Sequence, residues 1–525
     1  MRQMFRAMSA GLAAVSACLV LAGCAGYTQQ TADTITAVHA GDTQKALELH
    51  EKKTSASDRD LLFHFEKGEI QRLAGNYDGS TTTWLVADTT IRAWEDQVRT
   101  DPSKLMGEIG SFLLNDTTRV YEGRDYEKVM LSTRLALNHV ATGHFDLART
   151  EIKKMHEREA IIAEFRSKEL EAAHKAASDK GLKTTSYKEI SGYPVQTLDA
   201  PEVQALKNSY ESAFANYLAG FVYEALREPS LAAPGYRKAA EMRPNVEVID
   251  DGLKGLDKRM SASSATGVDT LFVVEAGLAP EIHSVQIPIF LPIPGRYGLS
   301  LVATPISWPT IHPGAVATPN VIAVDDRQLP VALLTDVNLM ARRALADEMP
   351  GIIARSSVRA ISRGAAQVAM EQGTANTSAA AVGQIVSLLT KIAAVATEQA
   401  DERIWRTMPA TYSVARVTLP PGRHKLALGV HTREFEVGGR YSVVALRVLG
   451  NQIYVAATVP SAAPGAPGAV STVAPAVSDG PAATPAAPAV KKKKKAKAAE
   501  GAPAAPAAPA APAAPAAPGT TISPH

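Results

Sequence analysis

The densest set of side chains with chemical potential is Asp401, Glu402, Arg403, Trp405 and Arg406, with Arg416 fifteen residues beyond Asp401. Two guanidinium groups beside an aromatic wall suit an anion, because arginine offers a planar fork to carboxylate or phosphate oxygens. Arg403 and Arg416 are therefore the candidate anion or partner contacts. The same residues also fit a structural role, with Trp405 plugging a helix-to-strand junction and Asp401 paired to an arginine. Pro409 and Pro421 mark this stretch as a corner and favour that role. Glu275 and Glu281 flank the run AGLAP; a glycosidase pair needs a set separation across a cleft, and these two read as turn residues. His424 and His431 are spaced to oppose one another across a hairpin, yet with no third ligand nearby they read as a surface pair. His156-Glu157 lies among helix charges and reads as a solvated face. No glycine is followed by lysine and no two glycines stand two apart, which removes the Walker A loop and GxGxxG. HExxH and GxSxG are also missing. The expectation is a protein that is not an enzyme, with no catalytic residue, metal or cofactor assigned.

The cysteines carry a different chemistry. Both, Cys18 and Cys24, sit at the amino terminus, so the body has no cysteine for a disulfide or zinc site. Arg2 and Arg6 precede an apolar run, Ala7 to Leu21, too short to span a bilayer comfortably, which together read as a cleaved secretory signal over residues 1–23. Its end, Leu21-Ala22-Gly23-Cys24, resembles the bacterial lipobox. That resemblance implies that Leu21, Ala22 and Gly23 are read by the lipoprotein signal peptidase and that Cys24 becomes the acylated first residue. Several acyl chains make a lasting anchor where one gives only marginal binding. Ala25, with no aspartate after the cysteine, implies the outer membrane and a chain facing the periplasm.

Behind these groups stands a repeat. Gly68, Ser80 twelve residues on and Ala87 seven further match Gly220, Ala232 and Ala239, and Ala136 and Ala148 begin a third copy. Gly41, Gly75 and Gly143 are separated by 34 and 68 residues, one and two units of a 34-residue period. Two antiparallel helices in 34 residues resemble the tetratricopeptide repeat: small residues let helices approach, and glycine ends the first helix. Residues 24–262 are expected to form an irregular α-solenoid with extra helix over 156–205, leaving a concave face for a peptide or protein partner.

After Met260 the pattern changes. LFVVEAG (271–277) and IHSVQIPIF (282–290) are β-rich, and Pro288, Pro292, Pro294, Pro305, Pro309 and Pro313 confine this stretch to edge strands and loops. A helical insert over 335–405 contains VNLMARRALADEMP (337–350) and the apolar AAAVGQIVSLLTKIAAVATEQA (379–400), expected to be buried against the β region. From Thr411 onward, period-two alternation with turn signals predicts antiparallel strands, Pro420-Pro421-Gly422 making one tight turn. Residues 265–460 thus read as a β-rich, sandwich-like domain with a helical insert, and the fold class as α+β multidomain. The tail, 461–525, holds 13 of 33 prolines and a three-residue Ala-Ala-Pro period, a composition that cannot form a core and is expected to stay disordered.

Charge supports that division. The 525-residue chain carries a formal +2; six tail lysines against Asp479 and Glu500 make +4, leaving −2 for the remainder. With 6% aromatic residues and no basic face, nucleic-acid binding is not expected. Lys491, Lys492, Lys493, Lys494 and Lys495 form one cationic block, a candidate contact to anionic cell wall or lipid.

The blocks EGRDYEKVMLSTRLALNHVATGHFDLARTEIKK (122–154), VDTLFVVEAGLAPEIHSVQIP (268–288) and ADERIWRTMPATYSVARVTLPPGRHKL (400–426) resemble a family of bacterial tetratricopeptide-repeat-containing outer-membrane lipoproteins, found near lipoprotein activators of penicillin-binding proteins. The resemblance covers most of residues 25–455. It implies an envelope or cell-wall setting and assigns no reaction. The combined expectation is a lipid-anchored adaptor that binds envelope proteins or peptides through the repeats. The alternatives are an envelope enzyme, a wall hydrolase or transferase with its site in the second domain, and a passive structural tether.

Overall fold

The computed structural model describes residues 26–55, 58–100, 120–179, 194–262, 267–295, 298–312, 316–353, 356 and 400–457. The signal and lipobox residues Leu21 to Cys24, most of the expected helical insert and the tail with Lys491 to Lys495 lie outside the described residues.

The amino-terminal half is a series of helical hairpins: α1 (Tyr27–His39) with α2 (Thr43–Lys53), α3 (Leu61–Leu73) with α4 (Tyr77–Thr100), and α5 (Asp125–Ala141) with α6 (Phe145–Asp179). Two single turns follow, α7 (Val195–Leu198) and α8 (Pro201–Gln204), then α9 (Ala213–Ala225) with α10 (Pro229–Met242), α11 (Glu247–Lys254) and α12 (Leu256–Ser261). The 34-residue spacing marks the turns. Gly41, Gly75 and Gly143 all adopt positive φ, 80°, 76° and 82°, the left-handed conformation that ends a first helix at least cost in glycine. The next residue caps the second helix: Asp42 accepts from the Lys45 amide at 3.0 Å and Asn76 from that of Gly79 at 2.8 Å. Small ladder residues sit where helices touch. A Cβ on Gly220 would lie 2.7 Å from the Tyr236 ring, and one on Gly68 2.2 Å from the Trp84 indole nitrogen.

The carboxy-terminal half holds β1 (Val268–Ala276), β2 (Ile282–Gly295), β3 (Gly298–Ile311), β4 (Val321–Val324), β5 (Arg327–Pro330), β6 (Ala332–Asp336), β7 (Thr411–Leu419), β8 (Gly422–Leu428), β9 (His431–Val437), β10 (Tyr441–Leu449) and β11 (Gln452–Ala457). Five strands form a central sheet in the order β11-β10-β1-β7-β6 and four form a second sheet, β5-β4-β8-β9. The expectation of antiparallel strands is corrected at the centre. β1 runs parallel to β10, from Asp269↔Tyr441 to Ala276↔Val448. The long excursion between these strands lets the chain re-enter in the same direction, which a tight hairpin cannot do.

Residues of β1 alternate between two cores. Leu271 and Val273 pack with the helices, whereas Phe272 and Val274 pack with Ile322, Leu426 and Phe435 of the second sheet. The result is three layers, helices on sheet on sheet, and β1 is buried almost throughout because both its faces are covered. Phe214 of α9 stacks on Tyr412 of β7 at 4.8 Å, and Phe221 meets Tyr441 of β10 edge-on at 5.7 Å. Helices and central sheet therefore share one core, and the boundary near residue 262 separates two patterns of sequence, not two separately packed bodies. A further helix, residues 337–353, joins this core through Met340, Ala344, Leu345 and Met349.

β2 and β3 pair only with each other among the described strands. In this ribbon Pro288↔Pro305 face one another, and Pro292, Pro294 and Pro309 fall on the same alternate positions of the register. Amides alternate in direction along a strand, so prolines on one parity remove donors from the outer edges and leave the inner ladder intact. The ribbon thus carries its own protection against pairing with another strand.

Candidate functional site

The face of the array that an ordinary solenoid leaves open is closed here by the chain itself. The first helices of the second, third and fourth hairpins, α3, α5 and α9, turn towards the central sheet, and the irregular segment 401–408, with a turn at Arg406-Thr407, lies between α3 and α5. Glu127 of α5 accepts the main-chain N–H of Trp405 at 2.7 Å. Glu66 of α3 accepts those of Arg406 and Thr407 at 2.6 and 3.0 Å. The Trp405 ring stacks on Phe65 at 4.5 Å and meets Trp84 edge-on at 5.8 Å, with no exposed surface left. The side of α3 and α5 that faces the sheet is thus covered by residues 401–408 and is not open to a partner.

Both carboxylates sit out of water. Burial pushes Glu66 up to about 7 from the ordinary 4.5, against the opposing bonds from Thr407, Arg406 and Tyr27. Burial likewise raises Glu127, opposed by the amide of Trp405, the Tyr121 hydroxyl and the amide of Arg124. Raised carboxyls of this kind are a mark of acid–base sites. Here, however, their oxygens are engaged by main-chain amides and tyrosine hydroxyls, so the groups fasten a segment.

Beside them lies a buried ion network. Arg134 of α5 donates from Nη2 to both carboxylate oxygens of Glu69 of α3, each 2.7 Å, and from Nη1 to Glu275 of β1. Arg72 approaches Glu275 at 3.5 Å, and Arg447 of β10 approaches Glu69 at 3.7 Å. Burial alone would raise Glu275, but Arg134, Arg72 and Arg447 outweigh it and hold the carboxyl below its ordinary range. The reading of Glu275 as a turn residue is corrected: it is a strand residue at the centre of the helix–sheet contact. Glu281, by contrast, lies half exposed and pairs with Arg406 at 2.8 Å.

The two candidate anion contacts are not brought together. Arg403 is forked onto Asp401, at 2.8 and 2.7 Å, with its guanidinium 5.2 Å from the Tyr121 ring centre. Arg416 of β7 donates to Asp269 at 2.8 and 2.7 Å, to Glu224 of α9 at 2.6 Å and to the Tyr236 hydroxyl oxygen at 3.0 Å. The anion clamp is thus corrected: each arginine already has carboxylates of its own chain, and their partner sets do not overlap. Asp401 is the partner of an arginine, Arg403, whereas Trp405 packs against Phe65 of α3 and Trp84 of α4, and the helix side of the expected junction lies outside the described residues. The histidine pair is corrected as well. In the β8–β9 register His424 faces Phe435 and His431 faces Leu428. His424 instead bonds Asp325 and the carbonyl of Pro420.

Sequence reading missed Glu66, Glu69, Glu127, Glu224 and Arg134. Their signal is a charge within an apolar helix stripe: Arg134 lies between Leu131 and Leu135, and Glu224 closes YLAGFVYE. A charge there needs a partner from elsewhere in the fold. Among the described residues no group of three or more His, Cys, Asp or Glu is placed to hold a metal ion, and no helix is long and apolar enough to cross a membrane.

No family model and no curated protein matches the chain. Among solved structures it is similar to a tetratricopeptide repeat protein from Parabacteroides merdae ATCC 43184, at 16% identity over 44% of this chain and 98% of that one, with a TM-score of 0.13. It is also similar to the C-terminal part of a TPR repeat-containing protein from Cytophaga hutchinsonii, at 13% identity over 43% and 86%, again with a TM-score of 0.13. At those scores neither likeness carries an argument, and the repeat character of the helices rests on the hairpins, their 34-residue spacing and their left-handed turns.

Proposed function

We propose that the protein is a lipid-anchored adaptor of the cell envelope, held to the outer membrane through acylated Cys24 and facing the periplasm, and that it binds protein partners through the outer surface of its helical hairpins. What supports the anchor is the sequence Leu21-Ala22-Gly23-Cys24 after a short apolar signal. What supports binding on the outer surface is one observation: residues 401–408 and the central sheet cover the inward side of α3, α5 and α9, while four of the seven exposed large aliphatic side chains among the described residues lie on second helices. Leu85 and Val86 of α4, Leu147 of α6 and Leu231 of α10 are 42, 47, 44 and 39% exposed. Leu147 and Leu231 each precede a ladder alanine, Ala148 and Ala232, and so hold equivalent repeat positions. Scattered exposed aliphatics need no explanation, but a repeated position on one kind of helix is what a partner surface requires.

The raised carboxylates favour this reading over a wall hydrolase or transferase, since Glu66 and Glu127 face amides of their own chain. The cationic run Lys491 to Lys495 supports an added contact to anionic wall or lipid.

Photo-crosslinkers placed at Leu85, Val86, Leu147 and Leu231 of the full chain, in intact cells, test the assignment. The expected result is one recurrent envelope protein captured at several of these positions and lost in the double variant Leu147→Asp, Leu231→Asp. Capture unaffected by that variant contradicts the surface. Palmitate labelling that spares the wild type, or membrane partition kept by Cys24→Ala, contradicts the anchor.

A further inference from the structure

The buried ion network does not balance. Arg72, Arg134 and Arg447 face two carboxylates, Glu69 and Glu275. Glu69 and Glu275 are already committed to Arg134, and the remaining guanidinium groups stand 3.5 and 3.7 Å from them, beyond a good hydrogen bond. Arg72 keeps Nε and Nη2 without a hydrogen-bond partner, and Arg447 keeps Nε, all of them buried atoms. Both side chains are only 5% exposed. Arg447 spends its other nitrogens on the carbonyls of Gly277 and Thr407, at 2.6 and 3.1 Å.

These groups border a narrow cleft, lined among others by Glu69, Arg72, Tyr77, Glu275, Arg447 and Tyr454, whose interior admits a body little larger than a water molecule. A surplus buried cation with unmet N–H donors is unfavourable unless an opposite charge reaches it. Burial lowers the pKa of Arg447, the direction expected of a cation short of counter-charge.

We propose that this cleft binds one small monovalent anion with the size and chemistry of chloride, held by Arg72 and Arg447. A single negative charge restores balance to three arginines and two glutamates. A divalent oxyanion exceeds the space and meets Glu69 and Glu275 at close range. The bound ion would join α3 to β10, the same two layers that Arg134 joins from the other side. It is a site apart from the partner surface on the second helices and stands whether or not that surface is right.

Chloride-35 NMR of the full chain tests this, with sodium gluconate replacing sodium chloride at constant ionic strength. The expected result is excess broadening of the chloride line by the wild type, displaced by bromide and lost in Arg72→Met. Crystals grown in bromide are expected to show an anomalous peak between Arg72 and Arg447, a measurement that does not depend on any variant folding. No excess broadening by the wild type, equal broadening by a folded Arg72→Met, or water alone in the cleft of bromide crystals would each overturn the proposal.

Discussion

Glu66 accepts the main-chain N–H of Arg406 at 2.6 Å across 340 residues of sequence, and that contact ties the carboxy-terminal part of the chain into the helical array. A side chain that accepts from main-chain amides does not depend on the identity of the residues it holds, so the position of the segment is fixed by Trp405. Removing Glu66 leaves two buried donors unmet. Glu66→Ala is expected to cost about 2 to 6 kcal/mol, from roughly 1 to 3 for each of two orphaned donors. Urea denaturation followed by far-UV circular dichroism checks the value; a change under about 0.5 kcal/mol would contradict the role.

The same carboxyl gives stability a pH dependence of known sign. Its value is about 7 when folded against 4.5 ordinarily, so the folded state holds a proton that the unfolded chain gives up between those values. Stability contributed by the protonated group is complete below about pH 4.5, falls as pH rises to about 7, and is level above. Glu127 is raised too and acts in the same direction in either protein. Melting midpoints of wild type and Glu66→Gln from pH 4.5 to 8 check this. The variant is expected to gain on the wild type through that window, and a constant difference contradicts it.

Trp405→Ala removes a fully buried ring from between Phe65 and Trp84. Truncation of a large core aromatic costs about 3 to 5 kcal/mol. Limited proteolysis is the informative readout, because cleavage near residues 401–408 should appear before cleavage within α3 or α5. Simultaneous loss of all segments would show that the groove and its occupant do not separate.

Arg134→Met strands Glu69 and Glu275 without their closest partner. Breaking a buried pair from one side costs about 3 to 5 kcal/mol, whereas apolar replacement of both sides is often neutral. The triple variant Arg134→Met, Glu69→Leu, Glu275→Leu is therefore expected to recover part of the stability lost in the single variant. Denaturation midpoints in urea report it, and strict additivity of the separate losses would contradict a shared network.

Two glycines of the repeat should respond differently to alanine. Gly75 has a left-handed φ of 76° and nothing within 4 Å of an added Cβ, so Gly75→Ala is expected to cost about 1 to 2 kcal/mol of backbone strain. At Gly220 an added Cβ would meet the Tyr236 ring at 2.7 Å, and at Gly68 it would meet Trp84 at 2.2 Å. Those substitutions must move a buried aromatic ring, and their thermal midpoints are expected to fall further than that of Gly75→Ala.

What sequence could convey depended on how local the cause was. The turns at Gly41, Gly75 and Gly143 were legible because a positive φ is written into one residue and the period repeats it. The break at Pro420-Pro421-Gly422 was legible for the same reason, Gly422 opening β8 with a φ of 126° where the chain passes from one sheet to the other. Glu275 was not, since its partner Arg134 lies 141 residues away and a lone glutamate beside glycine and proline looks like a turn. The face-to-face histidines failed by register, because the β8–β9 connection sits where His431 pairs with Leu428. The closed groove was invisible for a deeper reason. A repeat pattern specifies how helices pack on each other, whereas the occupant of their inner face is chosen by contacts hundreds of residues away.

Amide hydrogen exchange at Trp405, Arg406 and Thr407 tests the closed inner face most directly. If Glu127 and Glu66 hold these three amides in a buried groove, they exchange as slowly as the core of β1 and only with global unfolding. Exchange at the rate of an exposed loop would contradict the account and return the inner face to an outside partner.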